Sequence, residues 1–249
     1  MKPTQGQPLF QVDVPYIFQA QYDEIGREAV KKVLSDYKDT RAALDTLNPK
    51  EKGPIRGSNI YFRSALGNAY RELVSQEILP QDVLPINPRE SEIALANNTL
   101  TDPTKTYEDL GLSVYPKEGY NPVLWKHLRE QVKSHFKDSV DLKLPFIVTG
   151  LMNVIKDDKF EYGLRLDYIP ELTQMYNVPI LAQEEIDSFS SEDPELQRSG
   201  FPSKLGEGNR TLYTANTGAR RFIRSGDLDL YAVGEDLANS YVDGRVVLF

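Results

Sequence analysis

Hydrophobic and polar residues alternate most regularly between Leu142 and Pro170, LKLPFIVTGLMNVIKDDKFEYGLRLDYIP. Residues 146–155 form a nearly unbroken apolar run, which is typical of a strand that is covered on both faces. From 160 to 168 every second residue is an aromatic residue or a leucine, the period of a strand with one buried face. The polar residues 156–159 lie between the two runs and indicate a turn. The stretch therefore predicts a β-hairpin at the centre of the fold.

Two segments in the first third of the chain carry the apolar spacing of amphipathic helices. Apolar residues recur every four positions within 22–47, and 58–76 carries an i, i+3, i+4, i+7 stripe. Ser58 or Asn59 is the N-cap that we expect for the second helix. Prolines and a glycine in 48–54 end the first helix, so the two helices are predicted to pack as a helical hairpin.

A third helix is predicted over 121–137, because Asn121 is a favourable N-cap and Pro122 occupies the first helical position. The remaining residues contain more turn signals. Prolines interrupt 79–122, where only short strands between 106 and 114 are indicated, and 190–209 is a second long polar segment. The other predicted elements are short helices at 171–176 and 183–189, and strands at 210–215, 220–224, 228–233 and 245–249.

These elements predict an α+β fold, in which an N-terminal helical hairpin is followed by a mainly antiparallel sheet with a packed helix. A β-sandwich with helical additions is the alternative. The predicted organisation is an arm and helical hairpin in 1–80, a long irregular connection in 81–122, and an α+β domain in 123–249. Pro15 interrupts the first apolar run, so the first twenty residues predict either an edge strand or an arm that reaches a neighbouring subunit.

Composition excludes several classes of chemistry. The chain of 249 residues has no cysteine, so it forms no disulfide and uses no thiolate for catalysis or metal binding. Its net charge of −8 repels phosphate backbones, so nucleic-acid binding would need a local basic patch. No apolar run reaches the ~18 residues of a membrane span, and the N-terminus lacks a signal-peptide core. We therefore expect no membrane association and a location in the cytoplasm, or in a particle assembled there.

No catalytic residue, metal ligand or cofactor is predicted. The two histidines, His127 and His135, lie eight residues apart on one predicted helix, roughly 12 Å at 1.5 Å per residue, too far for one metal ion. A structural role at the edge of the core explains them better. Asp227 and Asp229 alternate with leucines, as on the wet face of a strand. The nucleophile, dinucleotide and phosphate-loop motifs GxSxG, SxxK, GxGxxG and GxxxxGK[ST] do not occur.

One cluster of positive charge stands out in this acidic chain, at Arg210, Arg220, Arg221 and Arg224. Guanidinium groups bind carboxylates and phosphates bidentately, so these four residues are the predicted binding site. The competing interpretation is that Arg220 and Arg224 pair with nearby aspartates across the sheet.

The sequence leaves three functional hypotheses open. The first is a non-catalytic structural or adaptor subunit of a larger assembly, for example a phage or virion particle, with other protein subunits as partners in a homo- or hetero-oligomer. It follows from long polar segments, a proline-rich arm, 14 tyrosines and the lack of catalytic motifs. The second is an enzyme with a site built from dispersed carboxylates and arginines. The third is a nucleic-acid-binding component that uses the arginine cluster.

Overall fold

A computed structural model describes residues 18–41, 53–74, 83–136, 139–183 and 186–249. Within these ranges the chain has an α+β fold, with helices packed on a mainly antiparallel sheet whose strand order is β4-β3-β2-β7-β8-β6-β5. The helices are α1 (Glu24–Asp36), α2 (Ile60–Val74), α3 (Pro88–Ala96), α4 (Pro122–His135) and α5 (Glu195–Ser199). The strands are β1 (Phe18–Gln19), β2 (Tyr107–Val114), β3 (Phe146–Lys156), β4 (Leu164–Asn177), β5 (Asp187–Phe189), β6 (Arg210–Tyr213), β7 (Ala219–Arg224), β8 (Leu230–Gly234), β9 (Gly244–Arg245) and β10 (Val247–Leu248).

The predicted hairpin is confirmed, with β3 and β4 antiparallel and Met152 opposite Tyr168. The short helix predicted at 171–176 is wrong, because β4 continues through Pro170 as far as Asn177. Among the described strands β4 pairs only with β3, so Pro170 lies in an edge strand, where a missing N–H group is tolerated. The pairing shifts register next to Gly150, whose φ is +77° and where a Cβ would lie 2.1 Å from the carbonyl oxygen of Leu172. A glycine is therefore required at this bulge.

The predicted packing of the first two helices is also confirmed. α1 and α2 lie against each other, and Lys32 of α1 makes a 3.1 Å ion pair with Glu72 of α2. Of the two proposed caps, Asn59 makes the contact, since its Oδ1 accepts a 2.7 Å hydrogen bond from the N–H of Phe62. The predicted part of the first helix within 42–47 lies outside the described residues.

The prediction of an irregular connection over 81–122 is wrong for the described part of that stretch. This stretch contains α3 and β2, and all eight residues of β2 are buried. β2 lies in the middle of the sheet between β3 and β7, so the sheet joins it to strands from 123–249. Glu108 and Asp109 interrupt its apolar pattern, so the sequence indicated only short strands here. A fully buried strand is normally a continuous apolar run.

The C-terminal strands agree with the prediction. The helix predicted at 183–189 is wrong in its described part, because its last three residues form β5, and residues 184–185 lie outside the described ranges. Residues 244–249 bond to segments on both of their sides. On one side Gly57 and Ala20 donate to carbonyls of this segment at 2.8 and 3.0 Å, and on the other residues 84–86 exchange hydrogen bonds with Val247 and Phe249. β1, the described end of the predicted N-terminal arm, pairs with β10; residues 1–17 lie outside the described part.

Two hydrophobic cores occupy opposite faces of the sheet. The first packs α1, α2 and α4 against β2, β3 and β4, and the second packs α3 and α5 against the opposite face. No helix in the described ranges combines the length and the apolar character needed to cross a bilayer. The described helices on the first face pack mainly against β2, β3 and β4, and the surface described next lies on the other strands of that face.

Candidate interaction surface

The four arginines that the sequence singled out are buried. Their exposed fractions are 4% for Arg210, 7% for Arg220, 5% for Arg221 and 0% for Arg224. Buried guanidinium groups need charged or carbonyl partners, because an unpaired buried charge is very costly. Each of the four has such partners inside the protein.

Arg221 binds Asp109 bidentately across β7 and β2. The Nε–Oδ1 and Nη2–Oδ2 distances are 2.7 and 2.9 Å, and Arg221 also donates to the carbonyls of Ser58 and Asn239. Burial opposes the charge, but the carboxylate of Asp109 outweighs it and raises the pKa of Arg221. The guanidinium group therefore stays charged. Through its bond to the carbonyl of Ser58 it also connects the sheet to the start of α2.

Arg224 shares the carboxylate of Glu108 with a second buried arginine, Arg245. Arg224 Nε also donates to Ser91 Oγ of α3 at 3.2 Å. All three charged residues are at most 1% exposed. Burial lowers the pKa of Arg224, and the charge of Glu108 counteracts this effect.

Arg210 and Arg220 complete the set. Arg210 binds Glu92 of α3 bidentately, with two N–O distances of 2.7 Å. Arg220 contacts Glu235 at 3.1 Å and lies over the ring of Tyr120. The pairing interpretation therefore describes this cluster better than the binding interpretation, although most partners come from α3 and β2 and not from nearby aspartates.

An apolar row crosses the half of the sheet that the described helices leave uncovered. It consists of Ile186, Tyr213, Tyr231 and Ile223, which we call the tyrosine row. Tyr213 lies opposite Tyr231, and Tyr231 lies opposite Ile223. Ile186 directly precedes β5, in which Asp187 lies opposite Leu212, and continuing this register would bring Ile186 beside Tyr213. Side chains at paired positions lie on the same face, so Tyr213, Tyr231 and Ile223 form one continuous strip, and Ile186 lies at its end.

The two tyrosines of the row stack on each other. Their ring centroids are 4.2 Å apart and their planes differ by 8°. Burial raises the pKa of Tyr231 to about 12, and contact with Tyr213 and the charges of Asp229 and Asp227 act in the same direction. The strip therefore has an apolar centre and an acidic rim.

The row belongs to neither hydrophobic core. Tyr213, Tyr231 and Ile223 are partly exposed, and Ile186 is 66% exposed. Alternation along 228–233 could have placed Tyr231 on the face opposite Leu230. The alignment of the four residues depends on strand order, which the sequence does not reveal.

A groove of about 500 Å³ lies between α4 and the edge strand β4. His127 of α4 places its Nε2 2.7 Å from Oδ1 of Asp167, and Arg165 holds the same carboxylate through two bonds of 2.9 Å. Arg165 also donates to Asp157 at 3.1 Å. His135 lines the groove as well, so both histidines of the chain face it. We call it the α4–β4 groove.

The side-chain amide of Gln131 fixes one wall of this groove. Its Nε2 donates to the carbonyl of Leu166 at 3.2 Å, and its Oε1 accepts from the N–H of Tyr168 at 2.8 Å. These are the two hydrogen bonds that a neighbouring strand would make with the edge of β4. In the described ranges, no cluster of three or more histidine, aspartate and glutamate residues is arranged to hold a metal ion.

Comparisons with protein-family models, with curated proteins and with solved structures found no match to this chain.

Proposed function

We propose that this protein is a non-catalytic subunit of a larger protein assembly, such as a phage or virion particle, and that it contacts a neighbouring subunit through the tyrosine row. The observation that carries the proposal is the continuous apolar strip on the half of the sheet that the described helices leave uncovered. Contiguous apolar surface marks sites of protein–protein contact, and a subunit buries such a strip on assembly.

The composition of the row suits an interface. Tyrosine is enriched at the centres of protein interfaces, where its ring supplies contact area at low entropic cost. Further burial of each partly exposed tyrosine of the row contributes about 1 kcal/mol by area, and the rigid stack of Tyr213 on Tyr231 is already formed before binding.

Charge favours a different protein over a second copy as the neighbour. Asp227 and Asp229 lie beside the row, and the chain carries a net charge of −8. Two copies that face each other through this surface would bring like charges together. A partner with an apolar centre and lysine or arginine residues at its rim complements the surface.

The test isolates the complex from its native source and follows the chain by size-exclusion chromatography with light scattering. The native chain is expected in a complex, and the double substitution of Tyr213→Thr with Tyr231→Thr releases it as a folded monomer. Tyr120→Thr is the matched control, because Tyr120 is 49% exposed but lies outside the row, and it leaves the complex intact. A native chain that is strictly monomeric, or a double variant that stays in the complex, contradicts the proposal.

An enzyme remains the second candidate, because one observation favours it: Asp167 orients the ring of His127 at the wall of an open groove. This contact resembles the carboxylate–histidine unit of proton-transfer sites. Asp167 is the one carboxylate among the residues described at the groove wall, and no serine, threonine or lysine lines it. Loss of a measured turnover on His127→Gln, with the fold intact, would favour the enzyme over the subunit. The arginine cluster is bound internally, so we do not propose nucleic-acid binding.

A further inference from the structure

We infer that the α4–β4 groove binds a neutral, hydroxyl-rich small molecule, such as a saccharide. The inference is independent of the tyrosine row, which lies on other strands. It follows from the hydrogen-bonding capacity that the groove leaves unused, from its charge balance and from its apolar wall.

The groove offers donors and acceptors side by side. Asp167 accepts three hydrogen bonds from His127 and Arg165, so one of the roughly four acceptor positions of the carboxylate is unfilled. Arg165 uses three of its five N–H groups on Asp157 and Asp167. Within the described residues the exposed amide of Asn153 makes no hydrogen bond. A hydroxyl group both donates and accepts, so it can use all of these positions.

His127 adds one more unused hydrogen-bonding position, at Nδ1. An ionised carboxylate only accepts hydrogen bonds, so Nε2 of His127 carries the proton that it shares with Asp167. Nδ1 has no partner in the described part of the chain, and a hydroxyl group can donate to it or accept from it, because a hydroxyl group does both. The ring is held in place by the edge-to-face contact with Phe160, at 5.1 Å between centroids.

The charge balance disfavours ionic ligands. Arg165 is shared between the carboxylates of Asp157 and Asp167, so two carboxylates face one guanidinium group in this network. A phosphate or carboxylate ligand would bring further negative charge next to these two carboxylates. A cationic ligand would have to approach Arg165, whose pKa is raised mainly by its hydrogen bonds with Asp167 and which stays charged.

The apolar wall and the size fit a saccharide. Phe136 and Tyr168 meet edge to face with ring centroids 5.6 Å apart, and both line the groove together with Pro170. Aromatic and proline surfaces can pack against the C–H groups of a sugar ring while its hydroxyls bond to the polar side. The volume of about 500 Å³ lies within the usual range for small-molecule sites.

The chain supplies its own reporters for the test. It contains two histidines, and both line the groove, so the imidazole Hε1 signals in an NMR spectrum report on this site alone. His135→Gln assigns the two signals, since His135 is exposed. The full chain is titrated to roughly 20 mM with maltose, cellobiose, lactose, chitobiose and myo-inositol, a range that covers millimolar Kd values. Inorganic phosphate, acetate and putrescine are the ionic comparators.

At least one of the neutral probes is expected to shift the His127 signal saturably and more tightly than any ionic comparator. Asn153→Ala should then weaken that binding roughly two- to tenfold, the usual effect of one lost hydrogen bond. Asn216→Ala is the control, because Asn216 is exposed and lies outside the groove.

Three results would overturn the inference. The first is the absence of a saturable shift with every neutral probe. The second is tighter binding of phosphate, acetate or putrescine than of the neutral probes. The third is an equal effect of Asn153→Ala and Asn216→Ala on Kd. Asn153 is exposed and not part of the internal hydrogen bonds, so its substitution tests the site without disturbing the fold.

Discussion

Arg221 and Asp109 lie on adjacent strands of the sheet and form a bidentate ion pair with distances of 2.7 and 2.9 Å. The Asp109 side chain also accepts a 2.6 Å hydrogen bond from Ser58 Oγ. A buried pair of this kind adds little stability over a well-packed apolar pair, but breaking it leaves one charge without a partner. The pair therefore disfavours any arrangement that separates these two strands.

The first prediction concerns this pair. Asp109→Ala removes the anion from Arg221, and we expect the free energy of unfolding to fall by about 3–5 kcal/mol in urea denaturation. Glu235→Ala is the control. Glu235 pairs with Arg220 but its side chain is 49% exposed, so we expect a loss below about 1 kcal/mol. Equal losses in the two variants would show that burial does not decide the strength of these pairs.

Glu90 of α3 gives a prediction of pH dependence. Burial raises the pKa of its carboxyl group, and Oε2 has no hydrogen-bond partner. A carboxyl group with a raised pKa in the folded state stabilises the protein below its unfolded pKa and loses this contribution as the pH rises through the folded value. Glu90→Gln should therefore stabilise the protein at pH 7 by about 1 kcal/mol, and the gain should disappear below about pH 4. Thermal unfolding at several pH values measures this, and a gain that persists in acid would contradict it.

Tyr115 predicts sensitivity to alkali. Its hydroxyl donates to the carbonyl of Ala232 and accepts from the N–H of Ala215, both at 3.1 Å. Burial raises its pKa to about 12, compared with about 10 in the unfolded chain. The unfolded chain therefore loses this proton first, and the corresponding stability is present below pH 10 and lost between about pH 10 and 12.

Tyr115→Phe removes this titration. The slope of the unfolding free energy against pH should become shallower by about one proton between pH 10 and 12, while stability at pH 7 falls by about 1 kcal/mol. Urea denaturation across this range makes the measurement. Tyr241→Phe, at a tyrosine that is 56% exposed, is the control for the loss of a phenol hydroxyl at the surface. An unchanged slope for Tyr115→Phe would contradict this prediction, because it would show that burial does not hinder ionisation of the Tyr115 hydroxyl.

Glu161 caps α4 from a distant part of the chain. Its two carboxylate oxygens accept hydrogen bonds from the N–H groups of Val123 and Leu124 at 2.9 and 3.2 Å. A carboxylate at a helix N-terminus satisfies free N–H groups and interacts favourably with the helix dipole. We expect Glu161→Ala to lower the free energy of unfolding by about 1 kcal/mol, measured in urea. Glu171→Ala, at an exposed site on β4, is the control and should change it by less than half as much.

Periodicity predicted the elements in which charge and burial agree. The β3–β4 hairpin, α2 with its Asn59 cap, and α4 behind Pro122 all follow local rules. The cap of α4 shows the limit of such rules. Asn121 occupies the N-cap position as predicted, but it has φ of +54° and its amide binds the carbonyls of Ala219 and Glu235. The hydrogen bonds that cap the N-terminus of α4 are accepted by Glu161, and no local sequence pattern indicates this long-range contact.

The buried charges explain most of the rest. Glu92, Glu108 and Asp109 look like surface residues in the sequence, and their partners are more than one hundred positions away. The same long-range pairing places the arginine cluster inside the protein. The tyrosine row and the α4–β4 groove also depend on which strands and helices lie side by side. Composition alone therefore indicated only that some tyrosines contact a partner subunit, and not which ones.

The pairing of β10 with β1 has a kinetic consequence. Leu248 lies opposite Phe18, so this contact closes a loop of about 230 residues. β9 likewise joins β2 across more than 130 residues. Contacts of such long range form slowly, because the chain loses much entropy before they contribute stability. We therefore expect the segment 244–249 to become protected from hydrogen exchange last during refolding, well after the β3–β4 hairpin.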